Sequence, residues 1–506
     1  MSTVLESKRP LTGTDPAGGG LSSDDADLAD LGYEQKMHRT MSAFTSFALA
    51  FSMVSINTGV VTLFADPFNR VGGIGILLWL LVIPLVCCIV MVYCHLAGRI
   101  PLTGYAYQWS SRLAGNHFGW FTGWVAFISF VAGTAATAAA IGTVFAPEIW
   151  ANPTQGQIQG LSIGATLVVG LLNICGIRLA TRINDIGAII EIIGTVLLAI
   201  ALFLGVFFFF EHTQGVAILT SAQPVSGPSI SFTTIALATL LPVSVLLGWE
   251  GAADLSEETK DPRRAAPRAM IRAVLVSSVL GFVVFALLSI AIPGSVSELL
   301  SHSENPVINI VRLQLGNAAG VGMIVIAFAS ILACLIANMA VATRMTFALS
   351  RDNMLPGSKV LAKINPHFGT PVGAIVLITA IAVLLNLASG GFVTAIYSMV
   401  GLTYYCTYLL TLIAAYLAYK NGRMPGAPEG VFSLGRWLLP MIILGGLWAI
   451  AVILTLSVPE ESHTGAITTG VTLGVGVLWW LFSLRTRLNN GTAGCRSELA
   501  REERER

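Results

Sequence analysis

Charge is scarce in this sequence. Of its 506 residues only 11% are charged, whereas 55% are hydrophobic. An average soluble domain carries about 25% charged residues. So few charges cannot cover a soluble globule of this length, and the deficit extends along most of the chain. The composition therefore excludes an ordinary soluble protein and a receptor with a single membrane anchor. It predicts an all-α polytopic membrane protein.

An excess of either sign of charge is also missing. The 28 Lys and Arg residues nearly balance the 27 Asp and Glu residues, and the net charge is +1. A chain without a basic surplus offers no general attraction for nucleic acid. We therefore expect the lipid bilayer and a small molecule as partners, and no nucleic acid. Nothing in the sequence indicates an oligomeric state.

Cysteine and histidine are few, and their positions exclude several chemistries. All cysteines except Cys495 lie in apolar runs, so none is placed for an exofacial disulfide. The histidines lie in loops or at the ends of apolar runs, where no pair could clamp a haem or a metal at mid-membrane. No lysine follows a glycine, so the phosphate-binding P-loop is missing. We therefore expect no enzyme and no cofactor, and transport driven by a gradient of H⁺ or Na⁺.

Long apolar runs are what the sequence has in abundance. About twelve recur, each of the length that a helix needs to cross a hydrocarbon core of about 30 Å. They lie near residues 42–65, 74–97, 118–146, 158–178, 184–210, 231–255, 270–293, 318–348, 372–388, 394–419, 437–458 and 465–484. The polar residues 1–40 predict a disordered N-terminal tail, and residues 488–506 predict a C-terminal one.

The basic residues indicate the topology. All but two of the 28 Lys and Arg residues fall in loops and tails on one side of this arrangement, and the exceptions are Arg70 and Arg312. Cytoplasmic loops carry the excess of Lys and Arg, and one miscounted span would mix the two sets. We therefore predict an even number of spans and a plasma-membrane protein with both termini in the cytoplasm.

Two glutamates lie inside predicted spans. Burying a carboxylate at the centre of a bilayer costs about 2.5–3.5 kcal/mol on insertion scales, so such residues are functional candidates. Glu191 lies about ten residues beyond Arg182, which corresponds to about 15 Å of helix rise and reaches the midplane. We predict that Glu191 carries a coupling proton. Glu250 is a second candidate, for coupling, gating or substrate contact. Alternatively, each is a neutral acid bonded to a neighbouring helix.

The first and sixth spans contain residues that interrupt helices. Residues 52–59 (SMVSINTG) cluster Ser, Asn, Thr and Gly, and residues 242–251 (PVSVLLGWEG) add glycines and a charge. Interruptions five spans apart are typical of transporters built from two inverted five-helix repeats. Half-helix ends offer N–H groups to a carboxylate and carbonyls to an ammonium, so the site suits a zwitterion. Close helix packing is the alternative use of such small residues.

Four segments resemble the amino acid–polyamine–organocation (APC) transporters. Residues 248–270 (GWEGAADLSEETKDPRRAAPRAM) look like the signature that follows the broken sixth helix of that superfamily. Residues 97–109 (AGRIPLTGYAYQW) resemble the loop after helix 2, and residues 344–356 (RMTFALSRDNMLP) the end of helix 8. Residues 432–437 (FSLGRW) resemble the start of helix 11 in the amino acid/choline branch, which includes γ-aminobutyrate and choline permeases.

The resemblance implies a leucine-type symporter fold of five plus five inverted helices with two added helices. The repeats would cover residues 41–210 and 231–420, and the added helices 432–487. It implies import of an amino acid, γ-aminobutyrate, choline or a polyamine. By position, the substrate site would comprise Ser55, Ile56, Asn57, Thr58, Gly59, Leu247, Gly248, Trp249 and Glu250, with the Trp249 ring covering the substrate. Several proton-coupled relatives have a lysine where this chain has Glu191.

Three alternatives remain open. The same fold could serve an obligate exchanger of amino acids or polyamines, or a nutrient sensor that does not transport. The charged residues after the sixth span, among them Glu257 and Glu258, either form a solvated loop or make inner-gate ion pairs with Arg99 or Arg344.

Overall fold

The computed structural model describes residues 23–226, 229–301, 304–388 and 390–495, with the backbone alone for residues 23 and 390–394. These residues form helices and loops, and their one isolated β-bridge joins Met41 to Thr259. The helices are α1 (Ser23–Asp30), α2 (Ala43–Val54), α3 (Ile56–Leu63), α4 (Ala65–Arg70), α5 (Leu78–Ala97), α6 (Tyr105–Ala114), α7 (Asn116–Ile149), α8 (Gln155–Ile174), α9 (Ile177–Leu204), α10 (Phe232–Ala238), α11 (Leu240–Val245), α12 (Gly251–Asp254), α13 (Pro262–Ile290), α14 (Val296–Ser301), α15 (Pro306–Leu315), α16 (Asn317–Arg351), α17 (Ser358–Leu361), α18 (Val372–Asn386), α19 (Gly390–Lys420), α20 (Leu438–Thr455), α21 (His463–Trp479) and α22 (Arg485–Asn489).

The helices account for the predicted spans. Within the described ranges, ten helices are long and apolar enough to cross a membrane, and two shorter apolar helices cover Phe232–Val245 and Val372–Asn386. Each of the twelve overlaps a different predicted run. Leucine, isoleucine and valine side chains on α8, α9, α20 and α21 are exposed, as surfaces that face lipid are. The prediction of an all-α polytopic membrane protein is confirmed.

The long helix α7 lies at the centre of the bundle. Nearly all of its side chains are buried, and it packs against α6, α8, α16 and α19. Its sequence is rich in alanine, glycine and threonine, and such small residues let neighbouring helices approach closely. The centre of the bundle is therefore a closely packed wall against which the broken spans lie.

The first span is broken where the sequence predicts. Its halves α2 and α3 are separated by Ser55, which has a left-handed backbone with φ of 38°. The Ser55 N–H still bonds to the Phe51 carbonyl of α2, and the Gly59 N–H bonds to the Ser55 carbonyl. One residue thus ends one half-helix and starts the next, leaving a carboxyl end and an amino end together inside the bundle.

The sixth span is broken as well. Helix α11 ends at Val245, and the four-residue α12 begins only at Gly251. Between them Gly248 has φ of 87°, a conformation that glycine adopts without strain. Helix α11 packs on α3, and α12 packs on α2, so the two breaks lie side by side. The grouping of the spans into two inverted repeats stays a prediction.

Both described ends of the chain lie at the same end of the bundle, which we call the terminal end; the opposite one is the distal end. The Tyr33 hydroxyl donates to Asp352 Oδ2 at 2.7 Å, and the Gly494 N–H donates to the Asp352 carbonyl at 2.9 Å. Residues 23–40, which the sequence predicts as part of a disordered tail, differ from that prediction because Leu28, Tyr33 and Met37 are buried. Residues 1–22 and 496–506 lie outside the described part.

Candidate functional site

A cavity of about 620 Å³ lies between the broken spans and the helices α7, α16 and α19. It reaches the distal end, where Asp66, Arg70 and Glu304 line its mouth. Its inner walls are formed by residues that carry no charge, including Met53, Ser55, Thr58, Gly59, Gly133, Ala136, Thr137, Ser244, Leu247, Cys334, Asn338, Tyr397 and Tyr404. An open, mostly apolar pocket with a few polar groups is the usual form of a small-molecule site.

The predicted substrate residues divide into two groups. Ser55, Thr58, Gly59 and Leu247 line the cavity, as members of the walls given above. Ile56, Asn57, Gly248, Trp249 and Glu250 are absent from its described walls. Ile56 instead contacts α13, because its Cγ2 atom lies 3.6 Å from the Cβ position of Gly281. The other four lie beside or on the terminal side of the cavity, in the contacts described next.

Gly59 sets how closely the two breaks approach. A Cβ at Gly59 would lie 2.2 Å from Val245 Cγ2, so no larger residue fits without moving α3 from α11. Nearby, the Ser55 and Thr58 hydroxyl oxygens are 2.6 Å apart. Both hydroxyls stand at the amino end of α3, next to backbone N–H groups. The Asn57 N–H at this end is already bonded to Glu191, so the group that faces the cavity and can donate to a carboxylate of the bound molecule is the Thr58 hydroxyl.

Glu191 lies behind the first break and outside the cavity walls. Its Oε1 atom accepts the Asn57 N–H at 3.1 Å and the Ser55 hydroxyl at 3.3 Å. Its Oε2 atom has no hydrogen-bond partner among the described residues, and the side chain is fully buried. Asn57 Nδ2 donates to Thr195 Oγ1 at 2.7 Å. The Glu191 carboxyl group, on α9, is therefore held at the amino end of α3. A change in its charge there alters the stability of the helix end at the break.

Trp249 and Glu250 form the floor between the cavity and the terminal end. The Trp249 ring stacks on Tyr408 at 5.3 Å between centroids and meets Tyr93 edge-on at 5.1 Å. The Tyr408 hydroxyl donates to Glu250 Oε2 at 2.9 Å. Trp249 and Glu250 are both fully buried. In this conformation Trp249 belongs to the closed floor, and its predicted role as a cover over the substrate stays a prediction.

The terminal end is closed by buried ion pairs. Arg344 Nε lies 2.7 Å from Glu258 Oε1, and Arg351 lies 2.9 Å from Glu257. All four side chains are at most 5% exposed. The predicted inner-gate pairing with Arg344 is therefore present. Arg99 instead donates to the carbonyls of His95, Pro425 and Phe432 and to the Ser433 hydroxyl.

Sequence reasoning missed the cavity residues on α7, α16 and α19. Thr137, Asn338 and Tyr404 line the cavity but stand in runs that otherwise read as ordinary spans. The one available signal is Asn338, an amide in the apolar run 318–348. Among the described residues, no group of three or more His, Cys, Asp or Glu side chains could hold a metal ion.

Comparison with known proteins identifies the family. A family model described as "Amino acid permease" matches residues 41–482. "Amino-acid permease BAT1" of Arabidopsis thaliana is 26% identical over 502 residues, covering 92% of this chain and 95% of the relative. "Amino-acid permease 2" of Neurospora crassa is 26% identical over 441 residues, covering 84% and 80%. "Amino-acid permease BAT1 homolog" of Oryza sativa is 24% identical over 515 residues, covering 93% and 95%.

These matches confirm the resemblance to the APC superfamily, whereas the γ-aminobutyrate/choline branch stays a prediction. The relatives are named as permeases, not enzymes. Because the family model covers nearly all of the spans, the chain belongs to the amino acid permease family of multi-pass membrane transporters.

Proposed function

We propose that this protein imports an amino acid across the plasma membrane by alternating access, driven by protons. The observation that carries the proposal is the one-sided access of the cavity. The cavity reaches the distal end, whereas Trp249, Glu250 and the buried pair of Glu258 with Arg344 close the terminal end. One site that is open to one side only is what an alternating-access transporter presents in one of its states.

The distribution of charge supports import. Nearly all Lys and Arg residues belong to loops and tails that the topology assigns to the terminal end. The positive-inside rule makes that end cytoplasmic. The open cavity then faces the outside, as it must to load a substrate for import.

Coupling is assigned to Glu191. A charged carboxylate at the amino end of α3 is attracted by the partial positive charge of that helix end, whereas the protonated acid is not. Protonation therefore changes the relative stability of the conformations that α2 and α3 adopt. Sodium is the second candidate ion, because Glu191 Oε2 and Asn57 Oδ1 are buried oxygens without hydrogen-bond partners among the described residues.

The test is accumulation of labelled amino acids in proteoliposomes. An inward proton gradient should drive uptake above equilibrium into empty vesicles, and a protonophore should abolish it. Uptake that requires a sodium gradient would assign the coupling to sodium instead. Uptake only into preloaded vesicles would indicate an obligate exchanger. Saturable binding without accumulation would indicate a sensor and contradict the proposal.

A further inference from the structure

Two polar atoms in the cavity wall lie close to Gly133. A Cβ built on Gly133 would lie 2.9 Å from Asn338 Oδ1 and 3.8 Å from the Tyr404 hydroxyl oxygen. All three residues line the cavity, and Asn338 and Tyr404 are only 5% and 3% exposed. The absence of a side chain at Gly133 thus lets the Asn338 amide oxygen approach the backbone of α7 closely, with the Tyr404 hydroxyl near the same place.

The orientation of the Asn338 amide is fixed by its neighbours. Asn338 Nδ2 donates to the Cys334 carbonyl at 3.0 Å and lies 3.4 Å from Cys334 Sγ. Since only the NH₂ group can donate to a carbonyl, the oxygen is the atom that faces Gly133. In the described part of the chain, neither Asn338 Oδ1 nor the Tyr404 hydroxyl has a hydrogen-bond partner. Both residues line the cavity, so a bound ligand can supply the partner in place of water.

The cavity wall around this position carries no charge. The charged side chains among the described walls of the cavity are Asp66, Arg70 and Glu304, all at the mouth. A charged side chain bound beside Gly133 would lose its water without meeting an opposite charge in the wall itself, because the acids Glu191 and Glu250 lie behind the wall and are held by hydrogen bonds of their own. A hydroxyl or a carboxamide carries no such cost. It can donate to Asn338 Oδ1 and accept from the Tyr404 hydroxyl.

The position is within reach of the broken first span. Cys334 Sγ lies 3.7 Å from the Met53 carbonyl, near the carboxyl end of α2. Asn338 follows Cys334 by one helical turn on the same face of α16. An amino acid whose carboxylate and ammonium groups occupy the half-helix ends can therefore place its side chain beside Gly133.

We propose that Gly133, Asn338 and Tyr404 form a subsite that selects amino acids with an uncharged hydrogen-bonding side chain, a hydroxyl or a carboxamide. This inference rests on the proposed function, because it takes the cavity as the place where the amino acid binds. The subsite uses two polar atoms of the cavity wall, beside a glycine at which a Cβ would press on the Asn338 amide.

The test compares threonine with valine, which differ by a hydroxyl in place of a methyl group. In proteoliposomes the wild type should take up threonine at least about tenfold more efficiently than valine, because a site built to bond a hydroxyl rejects the analogue that lacks it. Asn338→Leu should bring the ratio close to one while valine uptake continues. Tyr404→Phe, which keeps the ring beside Phe130, should lower the ratio as well.

Asn173→Leu is the matched control. Asn173 is also a buried asparagine whose Nδ2 donates to the carbonyl one turn earlier, that of Val169 at 3.0 Å, but it is absent from the cavity walls. This variant should keep the wild-type ratio. Equal uptake of threonine and valine by the wild type would overturn the subsite, as would an unchanged ratio in both Asn338→Leu and Tyr404→Phe.

The same pair of ligands separates this proposal from the proposed function. If no amino acid accumulates, thermal stabilisation of the purified protein by threonine and valine still measures the subsite. Stronger stabilisation by threonine that Asn338→Leu removes would support the subsite although transport had failed. Equal stabilisation by both ligands, or by neither, would overturn it.

Discussion

Arg344 and Glu258 form a two-pronged ion pair in which Nε lies 2.7 Å from Oε1 and Nη2 lies 3.3 Å from Oε2, with neither side chain exposed. The pair joins the end of α16 to the segment after α12. Charges in this setting are stable only together, because each has lost its hydration. Opening the terminal end would therefore separate the pair and let water in at the same time.

Removing one partner of this pair should destabilise the protein. Glu258→Gln leaves the Arg344 charge buried, and we expect a loss of about 3–5 kcal/mol in unfolding free energy. Arg344→Gln should cost a similar amount, and the double variant less than the sum of the two. A double-mutant cycle on the purified protein measures the coupling. Additive losses would show that the two side chains do not depend on each other.

Tyr33 holds the N-terminal segment to the terminal end through Asp352. Burial, reinforced by the nearby Asp352 charge, raises the pKa of the Tyr33 hydroxyl well above its usual value, so it remains a donor at neutral pH. Tyr33→Phe removes the 2.7 Å hydrogen bond to Asp352. The free energy that holds the N-terminal segment against the terminal end should fall by about 1–3 kcal/mol. Cys495, which is buried beside Tyr33, should then react faster with a maleimide in a variant that has no other cysteine.

The exposed Tyr419 provides the control, since Tyr419→Phe should leave the Cys495 reaction rate unchanged. An equal rate in Tyr33→Phe and in the parent would mean that the N-terminal segment does not restrain the terminal end.

Glu191→Gln tests the coupling. Glutamine keeps an acceptor oxygen for the Asn57 N–H but cannot take up or release a proton. We expect uptake into empty proteoliposomes to lose its stimulation by external acid, while exchange into preloaded vesicles continues. Glu429→Gln, in an exposed loop, should behave as the wild type. Acid stimulation that survives in Glu191→Gln would reject Glu191 as the proton carrier.

Gly59→Ala tests the contact between the two breaks. The added Cβ would lie 2.2 Å from Val245 Cγ2, and overpacking of this kind costs about 1–3 kcal/mol. Uptake should fall strongly at normal expression. Val245→Ala in the same chain removes the clashing methyl group and should restore part of the activity. Gly470→Ala, which has no neighbour within 4 Å, is the control. Full activity of Gly59→Ala would refute the close approach.

The fold could be predicted because the sequence features that indicate it are numerous. Apolar runs and the distribution of basic residues repeat along the whole chain, and the helix-breaking residues around Ser55 and Gly248 stand out in otherwise apolar spans. Each of these features acts locally, on one helix or one loop. The number of spans and the two breaks therefore follow from residue types alone.

The inner walls of the cavity could not be predicted in the same way. Gly133, Asn338 and Tyr404 come from three helices that are distant in the sequence, and which face of each helix turns to the cavity depends on packing. The ordered residues 23–40 were missed because their polar composition resembles a free tail. Their few buried side chains, such as Tyr33, find partners only in the folded bundle.

Substrate protection tests the central claim, that the amino acid binds in the cavity between the broken spans. Thr143 lines the cavity and is exposed, so Thr143→Cys in a chain without other cysteines should react with a small thiosulfonate reagent. A saturating amino acid that the protein transports should slow this reaction severalfold. A cysteine at the exposed Ser297, outside the cavity, should react equally fast in the presence and absence of the amino acid. Equal reactivity of Thr143→Cys in the presence and absence of substrate would contradict the claim.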